Sequence, residues 1–159
     1  MTNTQIFIEK WHQIFEANDP SLMLPLIHDD IEFYSPAIFK PKHGKIVVFE
    51  TLKLVFELFE NYRVTDTWVK GNEVLFEFET EVGKFALQGI DRFELDERGK
   101  IIKMKVWFRP LSGLKHLART VAGRELENHL ADKSALQKFK IKSQIRASGL
   151  INGIKDGLK

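Results

Sequence analysis

The stretch from Val74 to Phe108 constrains this chain more than any other. Val74, Phe76, Phe78, Thr80 and Val82 alternate with Leu75, Glu77, Glu79 and Glu81. Phe85, Leu87, Gly89, Asp91, Phe93 and Leu95 alternate with Ala86, Gln88, Ile90, Arg92 and Glu94. Ile102, Met104, Val106 and Phe108 alternate with Ile101, Lys103, Lys105 and Trp107. A period of two marks a strand with one covered face. Gly83-Lys84 offers a two-residue hairpin turn, and Glu97 to Lys100 a second turn. Such short connections predict an antiparallel meander. They also fix a register: Val82 opposite Phe85 places Phe76 opposite Asp91, and Leu95 opposite Ile102 places Val106 opposite Asp91. Directly opposed residues share a face, so a carboxylate is expected on the apolar face. Tyr62 to Lys70 predicts a fourth strand before Gly71-Asn72.

That apolar face needs a cover, and the preceding residues supply it. Phe7, Trp11, Ile14 and Phe15 recur at helical spacing, and Asp19-Pro20 opens a short second helix toward Ile27. Ile31 to Ser35 reads as a short strand, and Ala37 to Gly44 as a loop. Lys45 to Asn61 predicts a long amphipathic helix with Val48, Phe49, Leu52, Val55, Phe56 and Phe59 as its stripe. A further helix follows Pro110, reaching about His129. Helices followed by a meander make an α+β order.

Composition narrows the classes of function. The chain has 159 residues, the size of one ordinary domain. It contains no cysteine, which excludes disulfide scaffolds, cysteine-ligated metal centres and thiol catalysis. The N-terminus lacks a basic segment followed by a continuous apolar run, and no window is apolar enough to span a bilayer. These features predict a cytoplasmic protein without integral membrane association. Charge is uneven. Lys133, Lys138, Lys140, Lys142, Arg146, Lys155 and Lys159 face only Asp132 and Asp156 in the last segment. We therefore expect a domain over 1–130 and a basic extension over 131–159, helical or partly flexible. With Phe139 as its only aromatic, the extension lacks the dense basic and aromatic face of a nucleic-acid binder, and no nucleic-acid partner is expected.

Three stretches carry a family likeness: Asp29 to Pro36 with the loop ending at His43-Gly44, Gly89 to Ile101, and Arg109 to Leu114. In this order the chain resembles the nuclear-transport-factor-2-like superfamily, and within it the SnoaL-like branch, many members of which have no assigned function. The resemblance covers residues 1 to about 130. It implies a cone-shaped α+β barrel, a deep apolar pocket and a homodimer. The superfamily includes isomerases, hydrolases, dehydratases, cyclases and binding modules without catalysis, so the fold does not choose among activities.

Among candidate residues, Asp91 stands first. Ringed by Phe76, Phe78, Met104, Val106 and Phe108, its carboxyl loses water, which favours the neutral form. It can then act as a proton-transfer base or as a neutral donor to a ligand carbonyl. The alternative is a buried Asp satisfied by a Tyr, a His or a backbone donor. Tyr34, on the face opposite Ile31 and Phe33, either presents its phenol to the pocket as a partner of Asp91 or is an amphipathic edge residue. Trp11, Phe15 and Phe56 complete the expected pocket lining. His12, next to Trp11, points about 100° away from it. None of the five histidines has metal-ligand spacing, so no metal and no cofactor is expected. The outer sheet face mixes Trp107, Ile90 and Ile101 with charges and reads as a dimer surface.

The reading that follows is a small-molecule-binding protein with an apolar pocket anchored by Asp91. The alternative is an isomerase, hydrolase or cyclase acting on an apolar cyclic substrate with Asp91 as general base. The residues leave open whether the chain is an enzyme.

Overall fold

The computed structural model describes residues 1–131 and 133–147. Its contacts divide the chain into two compact units, Met1–Val121 and the part from Ala122 onward. Residues 148–159 of the basic extension lie outside the described residues. Helix α4, Ala135–Ala147, occupies its described part.

The first unit opens with α1, Asn3–Glu16. Thr2 and Gln5 form a capping box, each side chain bonding the other's backbone N–H. A 3-10 helix, Pro20–Leu26, starts where the Asp19 carboxylate accepts from the Ser21 N–H. Then come β1 (Ile27–Tyr34), β2 (Lys42–His43), α2 (Lys45–Leu58), β3 (Glu60–Lys70), β4 (Glu73–Val82), β5 (Phe85–Leu95), β6 (Ile101–Arg109) and α3 (Leu111–Leu130). The six strands form one sheet in the order β2-β1-β6-β5-β4-β3. It is the expected α+β arrangement of N-terminal helices on a meander.

The meander register matches the expectation closely. Val82 pairs with Phe85, Phe76 with Asp91, and Asp91 with Val106. One pair differs. Leu95 lies opposite Ile101 rather than Ile102, through an irregularity between Glu94 and Leu95. The slip turns Ile101 into the core, where it is fully buried, and not onto the outer face where its parity places it with Trp107 and Ile90. Gly89 introduces no bulge. It pairs with Phe78, whose ring fills the place of the missing side chain, so a Cβ there would lie 2.3 Å from the ring.

Several elements differ from their predicted bounds. β1 begins at Ile27 and runs parallel to β6. The predicted loop carries β2, which pairs antiparallel with β1. Helix α2 ends at Leu58, because Phe59 is extended and Asn61 is left-handed at φ 54°.

The core lies between the sheet and α1 and α2. Phe7, Trp11 and Ile14 of α1 and Val48, Leu52 and Phe56 of α2 pack there with Phe76, Phe93 and Met104. Phe7 alone meets the rings of Trp11, Phe76 and Phe93. A second cluster joins Leu58, Val82 and Leu87 to Leu117 of α3. Among the described residues no helix is long and apolar enough to cross a membrane.

Candidate functional site

Asp91 sits on the inner face of β5, between Phe76 and Val106. It is 6% exposed, and none of the described residues gives it a hydrogen bond or an ion pair. Burial alone pushes its carboxyl from the ordinary 3.8 up to about 8. At neutral pH it is therefore protonated, with an O–H to donate.

Around it lies an aromatic wall. Trp11 packs on Phe93, with ring centroids 4.7 Å apart, and on Phe15 at 6.2 Å. Phe15 meets Phe56 at 5.0 Å and stacks on Tyr62 at 3.7 Å. Tyr62 meets Phe78 at 5.1 Å, and Phe78 meets Phe108 edge-on at 5.6 Å. Met104 and Val106 are buried in the same core. Of the nominated residues, the fold thus gathers Trp11, Phe15, Phe56, Phe76, Phe78, Asp91, Met104, Val106 and Phe108 on the inner side.

Tyr34 is the exception. β1 pairs with β6 so that Tyr34 lies beside Lys105, whose ammonium sits 4.9 Å from its ring centre. Its phenol donates to Glu32 at 2.9 Å, and this bond raises its pKa. Glu32 in turn faces Lys103 at 3.8 Å. These are outer-face partners, so Tyr34 stands across the sheet from Asp91. The expectation that its phenol could pair with Asp91 in the pocket is corrected accordingly.

Two polar groups that the sequence did not place here are buried on the inner side. Tyr62, from the start of β3, turns its hydroxyl inward. Burial drives its phenol well above the usual range, the Asp91 charge adds to this, and the Trp11 indole N–H opposes it. No hydrogen bond of normal geometry closes between Trp11 and Tyr62. His12 sets its ring 5.5 Å from Phe76, the cross-strand neighbour of Asp91. Trp11 Nε1, His12 Nε2 and the Tyr62 hydroxyl are all buried without a partner. Buried indole and phenol groups ordinarily find one.

Arg109 and His43 are exposed strand-end residues, opposite Gln88 and Glu32. Among the described residues no three His, Asp or Glu side chains are grouped to hold a metal ion. A groove of about 460 Å³ lies elsewhere, lined by Thr2, Asn3, Asn72, Leu95, Asp96 and Ile102 among others. It includes none of the residues nominated for the site.

The fold is shared with known proteins. Residues 8–104 match the family described as the SnoaL-like domain. A solved structure described as a steroid delta-isomerase from Pseudomonas aeruginosa is 34% identical, covers 82% of this chain and 96% of its own, and superposes with a TM-score of 0.77. The chain belongs to the SnoaL-like family of the nuclear-transport-factor-2-like superfamily. At lower identity the fold recurs in an uncharacterised cystatin-like protein from Silicibacter pomeroyi (24% identity, 84% of this chain, 92% of that one, TM-score 0.71). It recurs also in a protein of unknown function from Cytophaga hutchinsonii (14%, 69%, 93%, 0.58). No curated protein sequence matches the chain.

Proposed function

We propose that this protein binds a small, largely apolar molecule carrying a hydrogen-bond acceptor, seated against the inner sheet face beside Asp91. One observation carries the reading. Three buried polar atoms, on Trp11, His12 and Tyr62, lack partners beside a carboxyl that is neutral at physiological pH. Trp11 and Tyr62 are donors there, and protonated Asp91 is another. A carbonyl or similar oxygen satisfies such a set, while the aromatic wall takes the apolar body of the ligand.

A second reading, supported by the likeness to a steroid delta-isomerase, is catalysis on an apolar cyclic substrate. Asp91 would remove a proton beside a carbonyl and return it to another carbon, moving a double bond; hydrolysis or cyclisation would use it as a base in the same way. Its raised pKa counts against this at neutral pH, because a base must first be ionised.

The two readings have opposite pH signatures. With a steroid enone as probe, Trp fluorescence should report binding that is constant at lower pH and weakens as pH rises through about 8. Tyr62→Phe should weaken binding about five- to tenfold, the value of one hydrogen bond. An isomerase rate that instead rises through the same pH, and disappears in Asp91→Asn, supports the second reading. Binding indifferent both to pH and to Asp91→Leu defeats the first.

We propose further that the protein acts in the cytoplasm as a homodimer joined through the outer sheet face. Trp107, 49% exposed, lies beside Ile90 on that face, and Leu75 pairs with the exposed Trp68. Apolar groups in that number on a sheet face favour a partner. Trp107→Glu should convert a dimer to a monomer in light scattering. A wild-type monomer at every concentration contradicts the proposal.

A further inference from the structure

We infer that α4 docks this protein on an anionic lipid surface. Between Lys133 and Ala147 the chain carries Lys133, Lys138, Lys140, Lys142 and Arg146 and no acidic residue. On the same helix Leu136 is 65% and Phe139 70% exposed. At 100° per residue these two share one side of the helix. Lys140 follows just beyond Leu136, and Arg146 and Lys142 lie just beyond Phe139. Ile141 and Ile145 fall on the opposite side, where both are half-buried. A leucine and a phenylalanine flanked on both sides by long cationic side chains suit the boundary between headgroups and acyl chains. The apolar pair enters, and the ammonium groups remain with the phosphates.

The charge selects the kind of surface. Clusters of four to eight Lys and Arg residues on a helix suit an anionic bilayer. A nucleic acid would reward arginine and stacking aromatics more than an exposed leucine, and only one of the five cations is arginine.

The loop between β1 and β2 independently repeats the chemistry. Phe39 at its tip is 100% exposed, next to the exposed Ile38. Pro36 and Pro41 frame the tip, and the Ala37 N–H donates to Ser35 Oγ at 3.2 Å. Lys40 beside Phe39 is exposed, while Lys42 donates to Thr51 Oγ1 at 2.9 Å and Lys45 pairs with Asp29 at 3.6 Å. A phenylalanine held wholly in water beside an exposed isoleucine and Lys40 is another lipid-seeking feature. The inference does not depend on what the inner face binds.

The test is co-sedimentation of the full chain with vesicles of phosphatidylcholine, alone and mixed with phosphatidylserine. Binding is expected only with the serine lipid, and should fall with added salt. The triple variant K140Q/K142Q/R146Q should bind on the order of a hundredfold more weakly, from the three cations that flank the apolar pair. L136A/F139A should bind at least about tenfold more weakly. Both should keep the wild-type melting temperature, and K140R/K142R/R146K should keep the binding, which separates lost charge from lost structure. Equal binding to both kinds of vesicle, or undiminished binding by the glutamine variant, overturns the inference. So does tighter binding to a DNA duplex than to the serine vesicles.

Discussion

Asp91→Asn should make the protein more stable above pH 8, and not at pH 4. In the unfolded chain this carboxyl ionises near its ordinary 3.8, and in the folded protein burial holds its proton up to about 8. Between those values the unfolded state has released a proton that the folded state retains. Wild-type stability therefore falls as pH rises across this window and levels off above it. The folded pKa is raised, so the contribution is fully present at acid pH and lost toward alkali. Asparagine, close in shape and uncharged, has no such loss. The gain should reach on the order of 2–4 kcal/mol near pH 9, or roughly 5–10 °C in melting temperature for a chain of this size. Melting curves of both proteins from about pH 4 to pH 9 measure it, and shared titrations cancel in the difference. A gap that does not vary with pH would mean that Asp91 reaches water. The neutral-donor reading of the site would fall with it.

Gly89→Ala should destabilise the fold by about 2–3 kcal/mol, at the upper end of the usual cost of overpacking. The added methyl would stand 2.3–2.8 Å from three carbons of the Phe78 ring, far inside contact distance. Phe78 cannot retreat easily, because Tyr62, Phe59 and Phe108 surround it. Relief must come from bending β5 or displacing the ring, and either disturbs the wall beside Asp91. Chemical denaturation gives the magnitude. A Gly89→Ala/Phe78→Leu double variant should be more stable than the sum of the single effects predicts, since a smaller side chain accepts the methyl. Simple additivity would show that the two positions do not meet.

The placement of Asp91 was legible because two short turns tie β4, β5 and β6 together. Counting from Val82 and Phe85 reaches Phe76 and Asp91 without interruption. Counting from the second turn succeeds at Val106 and misses only at Ile101, where one irregularity absorbs a residue. The helices were legible from their apolar spacing, and their inward stripes supplied Trp11, Phe15 and Phe56. Tyr34 was not, since alternation along a strand tells which residues share a face but not which face meets the core. That was decided by β1 lying parallel to β6, with Phe33 beside Met104 and Tyr34 beside Lys105.

Tyr62 was hidden for a different reason. Register shifts interrupt β3 between Glu60 and Arg63 and again between Val64 and Asp66, so parity counted along the strand does not carry to its beginning. The left-handed Asn61 re-aims the chain there. His12 could be placed relative to Trp11 by helical geometry, but its position against Phe76 required the packing of α1 on the sheet. A site assembled from α1, β3 and β5 depends on contacts that no local pattern records.

The pairing of β1 with β6 also governs how the chain must come into being. Ile27 finds its partner at Ile101, and Phe33, which has Lys42 on one side, has Met104 on the other. The aromatic stripe of α1 finds its cover on Phe76 and Phe93. During synthesis, the first helix and strand leave the ribosome well before either partner exists, with Phe7, Trp11 and Ile31 still in water. Folding that rests on such distant contacts is slow and exposed to aggregation. A nascent chain of this protein stalled before β6 should therefore be a chaperone's client rather than a folded intermediate.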